Sequence, residues 1–571
     1  MQKRLLGILA SIAVIAAACG SATTSSAPAP GESTAPGESA AASAAPESDL
    51  ADEQVLRLYL SAEDPASLDP GIAETSDSIA VLASMNRGLL YFDKDLKPVP
   101  SLAESLPEVS ADGLTYTFTL RDALYSNGDP IVAGDLVYSW KRLIDPRTAS
   151  FYQGQIVDVD GGQEIIDLSG LEPAASDADI DAALDNFGVA APDDKTFVVT
   201  LDHPASYLSV LAALWNTVPY QEKWINTPNF TEPENYVSSG PFMMQSWTHQ
   251  SEIVLVPNPN WYGQKPTLTE VNWHIGGDPA ASQAQFEAGE IDTVQVPPPD
   301  VPRVVADPEL GPLVQAIPTT VFDYWGFWTQ EGPTANLHFR RALSMAVDKE
   351  TMLATVYGGA GSVAGSPVLP GMPGHQPDIG LPYDVDAAKA EFAIALEELG
   401  YSDVSEVPVL SFGFNVDAGH EITAAYMQEQ WNKNLGIQTE LKGVTFDQLI
   451  EERPNGVYDI ARNAWGADYP HPDTILRVLF HSESGNNDTG YNNPDYDRLV
   501  EEAGAQLSID EAIPFYNQAQ EILVEDAVAV FTRWRIQNYE VRPWVSGIIS
   551  TPQDHEAIGD LFLENIQILR H

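Results

Sequence analysis

The chain has 571 residues, with 82 Asp and Glu against 28 Lys and Arg, a formal charge of −54 and a single cysteine. Such a field repels nucleic-acid phosphates, which excludes a DNA or RNA partner, and one cysteine excludes an intramolecular disulfide or a thiolate metal cluster. At this length two or three domains are expected, each stabilised by core packing.

Lys3 and Arg4 precede an apolar run, Leu5 to Ala18, too short to cross a bilayer and suited to an export signal. Ala16, Ala17 and Ala18 then lead to Cys19-Gly20. This resembles a bacterial lipobox, whose Cys receives a diacylglycerol and becomes the mature N-terminus. Ala16 stands where that motif usually has Leu, Val or Ile. Two acyl chains hold a protein on a membrane where one is marginal. Residues 1–18 are thus expected to be the signal, and 19–53 the lipidated Cys19 with a disordered tether rich in Ala, Ser and Pro. Fully extended, that tether would reach roughly 100 Å. Beyond residue 20 no apolar stretch approaches spanning length.

In the body, VLRLYL from Val55, LTYTFTL from Leu114, TFVVTL from Thr196 and EIVLV from Glu252 read as strands. Helical periodicity covers about Pro130–Leu143, Leu337–Tyr357, Asp386–Leu399, Glu421–Asn434, Asp495–Leu507 and Asp510–Val524. Strands and helices alternate, which argues for α/β domains. The acid excess is spread along the chain; adaptation to a salty medium, where screening relieves self-repulsion, and an acidic secreted lineage both account for it.

Signatures of enzymes are missing. There is no HExxH, no GxSxG and no CxxC, and the Gly-rich stretch Gly358–Gly365 lacks the Lys-Ser or Lys-Thr ending of a phosphate loop. Asp158, Asp160 and Glu164 are close in sequence but complete no calcium loop, and read as a solvated turn. No metal or cofactor is expected.

Long ordered blocks carry a resemblance. Ser67-Leu68-Asp69-Pro70 and Arg87-Gly88-Leu89-Leu90-Tyr91 are followed by SADGLTYTFTLRDALYSNGDPIVAGDLVYSWKR from Ser110. Later come Ser239-Gly240-Pro241-Phe242, Phe339-Arg340-Arg341-Ala342-Leu343, ARNAWGADYPHPDT from Ala461, NNDTGYNNPDYDRL from Asn486 and VRPWVSG from Val541. From about Leu58 to His571 the chain resembles the family 5 extracellular solute-binding proteins, specifically their oligopeptide-binding branch. The resemblance implies a periplasmic-binding-protein-like type II α/β fold of three domains, two lobes and an extra domain, with ligand in the interlobe cleft. By order, residues 54–86, 212–320 and 537–571 form lobe I, 87–211 the extra domain inserted in it, and 321–536 lobe II. It also implies a monomeric receptor that captures short peptides and delivers them to the permease and ATPase subunits of an ABC transporter.

A receptor for varied peptides must grip the shared backbone and the charged ends, by strand addition and by paired charges. At positions matching the family's motifs, the resemblance assigns Asp468 to the peptide ammonium and Arg462 to its carboxylate. His420 would serve a longer peptide, with a charge that depends on pH. Glu74, Ala464 and Gly466 would lie along the ligand backbone, with main-chain bonds from residues 74–77; Trp465 would form a pocket wall and Tyr152 reach in from the extra domain. Two positions depart from the family: Phe446 stands where a pocket Trp is common, and Arg533-Trp534-Arg535 replaces a Tyr run. Arg533 could clamp a carboxylate or pair with the protein's own acids. The same scaffold binding an oligosaccharide, nickel chelate or opine is the nearest alternative, and a secreted hydrolase the remote one.

Overall fold

Alternation in VLRLYLS produces the strand Val55–Ser61, which buries Leu56, Leu58 and Leu60 completely. It lies inside a mixed sheet of eleven strands among the described residues. The computed structural model describes residues 49–571 apart from 170, 172–174, 278 and 417–418; the export signal, Cys19 and the tether as far as residue 48 lie outside the described residues. Residues 49–51, at the end of the expected tether, belong to the folded body. Leu50 bridges Leu569, and the Arg570 amide donates to the Asp49 carbonyl at 2.9 Å.

Two long strands, Val314–Phe327 and Ala529–Val541, run antiparallel through the middle of the sheet. Val314 to Pro318 pair with Glu540 to Ile536, and Phe322 to Gly326 pair with Trp534 to Ala529. Between these stretches the register breaks, so that residues 319–321 face Arg535 alone. A bulge of this kind bends and twists a strand pair. On one side of the break the sheet continues through Thr293–Gln295, Val55–Ser61, Glu270–Ile275, Glu252–Pro257 and Phe242–Thr248; on the other it continues through Ile460–Gly466, Leu410–Asn415 and Thr439–Val444. The two halves give the two lobes of a type II periplasmic-binding fold.

The extra domain holds a four-stranded sheet in the order Glu108–Val109, Thr115–Thr119, Thr196–Thr200, Val189–Asp193. Helix Ala133–Ile144 covers it, with Trp140 edge-on to Phe197 at 5.5 Å. One continuous core runs from this domain into lobe I, through Trp140, Tyr220, Trp273 and Phe562. Among the described residues the other lobe has two large cores, one under helices Asp473–Phe480, Pro494–Gly504 and Ile509–Glu525, the other under Leu337–Met345, Val385–Leu399 and His420–Leu435, with a small cluster of Leu449, Tyr458 and Ala461 beside them.

The expected helix Leu337–Tyr357 is two helices, Leu337–Met345 and Lys349–Thr355. Asp348 breaks it, because its carboxylate accepts the Thr351 amide at 2.9 Å and caps the second helix. The Gly-rich stretch lies on the central strand: Ser362 and Val363 pair with Trp534 and Arg533. A Cβ on Gly361 would stand 2.6 Å from the Trp534 carbonyl oxygen, so only glycine permits the approach. No described helix is long and apolar enough to cross a membrane.

Candidate ligand site between the lobes

Asp468 follows the strand Ile460–Gly466 and precedes the helix Asp473–Phe480. The Ala467 amide donates to the Thr320 carbonyl at 2.8 Å, tying the start of this turn to the register break. Its far end is locked by Asp473, fully buried, whose carboxylate accepts the Tyr469 hydroxyl at 2.9 Å, the Tyr516 hydroxyl at 3.1 Å and both Nε and Nη2 of Arg477. Burial alone would raise the Asp473 carboxyl, but Arg477 holds it below the usual carboxylate range.

In this rigid turn Asp468 keeps an unfilled carboxylate. Among the described residues its one side-chain partner is the Thr474 hydroxyl, at a long 3.4 Å. The residue is exposed, yet the protein around it partly desolvates the carboxyl and pushes it above the ordinary value. The Tyr152 phenol of the extra domain is pushed up to about 12, first by burial and then by the carboxylates of Asp468 and Glu74. Asp468 and Glu74 therefore both lie within electrostatic reach of Tyr152. Trp215 supports the Tyr152 ring edge-on at 5.2 Å. Glu74 is exposed just before helix Ser76–Met85, so Ser76 and Asp77 belong to a helical first turn, where amides lack intrahelical partners.

The opposite charge sits further back on the same strand. Arg462 is buried to 11% side-chain exposure and its guanidinium makes no hydrogen bond among the described residues; its nearest carboxylate contact is Asp323, at 3.8 Å. Burial lowers its affinity for the proton, and the cations of Arg535 and Arg453 add to that against Asp323. Arg462 and Ala464 pair with Trp325 and Asp323 of the neighbouring strand and share one face. Trp465 pairs with Phe322, points to the other face and packs against the core of helices 473–525. It is thus a core-edge ring more than a wall beside Arg462, although its buried indole N–H has no partner.

Two candidates sit in surroundings that the sequence did not show, and for Arg533 they match the second of its two alternatives, pairing with the protein's own acids. His420 is the first residue of helix His420–Leu435, and its imidazole is pulled down to about 4, by burial first and then by Arg462, with Arg535 and Arg533 adding. At neutral pH it is uncharged and supplies no cation for a carboxylate. Arg533 is engaged within the protein: its Nε donates to Asp323 at 2.7 Å, its Nη1 to the Ala360 carbonyl at 3.0 Å, and its guanidinium lies 3.9 Å from the Tyr357 ring centre. Phe446 opens helix Phe446–Glu452 with its ring exposed, and among the described residues no hydrogen bond or ring contact joins it to the other candidates. Asp158, expected in a solvated turn, accepts the Tyr207 hydroxyl. Tyr207 in turn stacks on Tyr469 at 6.0 Å and takes a bond from Arg477 at 3.2 Å, joining the extra domain to lobe II beside the Asp468 turn.

Sequence reasoning passed over Asp323. It is a lone acid inside the apolar strand segment VFDYWGF, which is the signal that could have exposed it, since a buried carboxylate needs partners. Also passed over was Glu556, on the lobe I side. Burial and the carboxylates of Asp560 and Asp77 raise it to about 8, against a bond from Ser76. The unfolded chain ionises this group near 4.5, so between those values the folded state holds a proton that the unfolded state has lost, and stability falls as pH rises through the window. Glu556→Gln should flatten that fall and raise the melting midpoint at pH 8, with little change at pH 4. Thermal melts with the same pH slope as the unmodified protein would remove Glu556 as the source.

A sequence model of the bacterial extracellular solute-binding proteins, family 5 Middle, matches residues 97–487. The oligopeptide-binding protein OppA of Bacillus subtilis is 30% identical over 476 residues, covering 81% of this chain and 84% of the relative. Among solved structures, the unliganded open form of the murein tripeptide-binding protein MppA, a protein of Escherichia coli, matches with TM-score 0.81 and 28% identity over 92% of this chain and 99% of that one. Haemophilus influenzae OppA in complex with the peptide RPPGFSPFR matches with TM-score 0.63, at the same 28% identity, over 91% and 100%. At equal sequence distance, the agreement is better with the open, unliganded form.

Proposed function

We propose, from the premise that this chain belongs to the bacterial extracellular solute-binding proteins of family 5, that it captures short peptides outside the cytoplasm and presents them to an ABC importer. One observation carries the reading. Two opposite charges, Asp468 and Arg462, lie six residues apart on one chain segment, and each lacks the partners a desolvated charge needs. Six extended residues span about 20 Å. An extended peptide of a few residues bridges that distance once both side chains reach toward it, with its ammonium on Asp468 and its carboxylate on Arg462. The exposed backbone at Gly466 and the half-exposed Ala464 between them suit strand-like pairing with the ligand.

The lobes close over the peptide by bending at residues 319–321 and 535, where the two crossing strands lose register. In this scheme lobe I comprises 54–86, 212–320 and 537–571, the extra domain 87–211 and lobe II 321–536. The better match to an open, unliganded relative supports a resting state with the lobes apart. Cys19 carries the lipid anchor, and the residues after it tether a monomeric body to the outer face of the membrane. The protein binds and releases without catalysis.

Mass spectrometry of molecules released on denaturing the purified protein tests the reading. Assorted short peptides in stoichiometric yield are expected. A sugar or metal chelate recovered instead would keep the scaffold's role and overturn the peptide assignment.

A further inference from the structure

Three guanidiniums converge on one carboxylate beside the register break. Oδ2 of Asp323 accepts Nε of Arg533 at 2.7 Å and Nε of Arg535 at 3.0 Å; Oδ1 accepts Nη2 of Arg535 at 2.6 Å. These bonds occupy most of what a carboxylate can accept in one plane, and Arg462 is left at 3.8 Å. No second carboxylate contacts any of the three arginines among the described residues. Among the described residues, three cations against one anion leave a formal surplus of two positive charges, in a protein of net charge −54. A structural role for Asp323 would be met by one arginine.

The donors left over differ. Arg533 is tied on both sides and stacked on Tyr357. Among the described residues the Arg462 guanidinium has no protein acceptor, and Nη1 of Arg535 has none either while that side chain is 35% exposed. The cluster therefore offers two separate donor sets, each able to take a carboxylate. A peptide's terminal carboxylate on Arg462 cancels one of the two surplus charges. The second remains uncancelled, partly desolvated and at the mouth of the cluster.

We propose that Arg535 receives a second carboxylate, so that this protein selects peptides whose C-terminal residue carries an acidic side chain. The inference rests on the peptide-receptor reading above, with Arg462 holding the terminal carboxylate. The overall negative field of the protein opposes any acidic ligand at long range, so a preference for one has to come from local pairing.

Calorimetry with two tetrapeptides, Ala-Ala-Ala-Glu and Ala-Ala-Ala-Gln, tests it on the full chain. The Glu peptide is expected to bind about tenfold more tightly or better, as one added charge-assisted bidentate contact would give. In Arg535→Gln the ratio of the two affinities should fall to near one. Moving the acid to the other end, Glu-Ala-Ala-Ala against Gln-Ala-Ala-Ala, should give no preference for Glu, because that end lies by Asp468. Equal binding of the two C-terminal variants to the unmodified protein overturns the inference and leaves the receptor reading standing. A Glu preference that survives in Arg535→Gln overturns the assignment to Arg535. Failure of both peptides to bind, together with no peptide recovered from the purified protein, overturns both. The first comparison needs no variant, so misfolding of Arg535→Gln would not protect the proposal.

Discussion

Asp468→Asn is expected to weaken binding of Ala-Ala-Ala-Ala by about tenfold to a hundredfold and to leave its N-acetylated form unaffected. A hydrogen bond to a charged group contributes about 1.5–3 kcal/mol, which is that range in affinity. The effect belongs to Asp468 because its carboxylate has one long bond within the protein and surroundings that raise its cost of ionisation. Asparagine fits the same space and keeps a carbonyl for Thr474, so the Asp473 lattice that holds the turn is untouched. The pH dependence has a definite sign. Pairing with an ammonium lowers a carboxyl that is raised in the empty protein, so binding on the acid side releases a proton. Affinity then falls as pH drops through the raised value, and in Asp468→Asn this acid-side loss should vanish. Calorimetry in buffers of different ionisation enthalpy reads both. Equal affinity and an unchanged pH profile in the variant would take Asp468 out of the site.

Asp323→Ala should lower stability strongly. It leaves three arginines facing one another, two of them at 18% and 11% side-chain exposure, without their shared carboxylate. Removing one partner of a buried ion pair costs about 3–5 kcal/mol. The low end is expected here, because Arg535 is a third exposed and recovers part of its hydration. Burial pushes the Asp323 carboxyl up, but Arg535 and Arg533 hold it below its ordinary value. The stability it contributes is therefore present at neutral pH and is lost as pH falls through that lowered value. Urea unfolding of the variant should show an earlier midpoint, partly restored by high salt as screening weakens the repulsion among the cations. An unchanged midpoint would mean that the arginines swing into water freely, which would also weaken the case that they form a fixed receptor for anions.

Much of the architecture could be read along the chain because its signals are local. The period-two pattern of VLRLYL carries its strand in the residues themselves, whereas the strand Ile460–Gly466 that leads to Asp468 was not among the expected ones. Helix ends were less legible. The break at Asp348 depends on whether its carboxylate turns back to cap the next helix, and helix Ala133–Ile144 starts after the expected Pro130, where the Asp135 carboxylate accepts the Val132 amide at 3.1 Å.

By itself the sequence determined the α/β class, the family and the residue types able to hold a peptide's two charged ends. Only the tertiary structure decided which of those groups are free to do so. Arg462, Arg533 and Arg535 look alike on paper, but Asp323, more than a hundred residues away in sequence, occupies one, half-occupies another and leaves the third empty-handed. His420 is written as a titratable cation, yet burial beside those arginines holds it neutral. Charge state and free valence depend on what lies within a few ångströms through space, and separation along the chain carries no record of that distance.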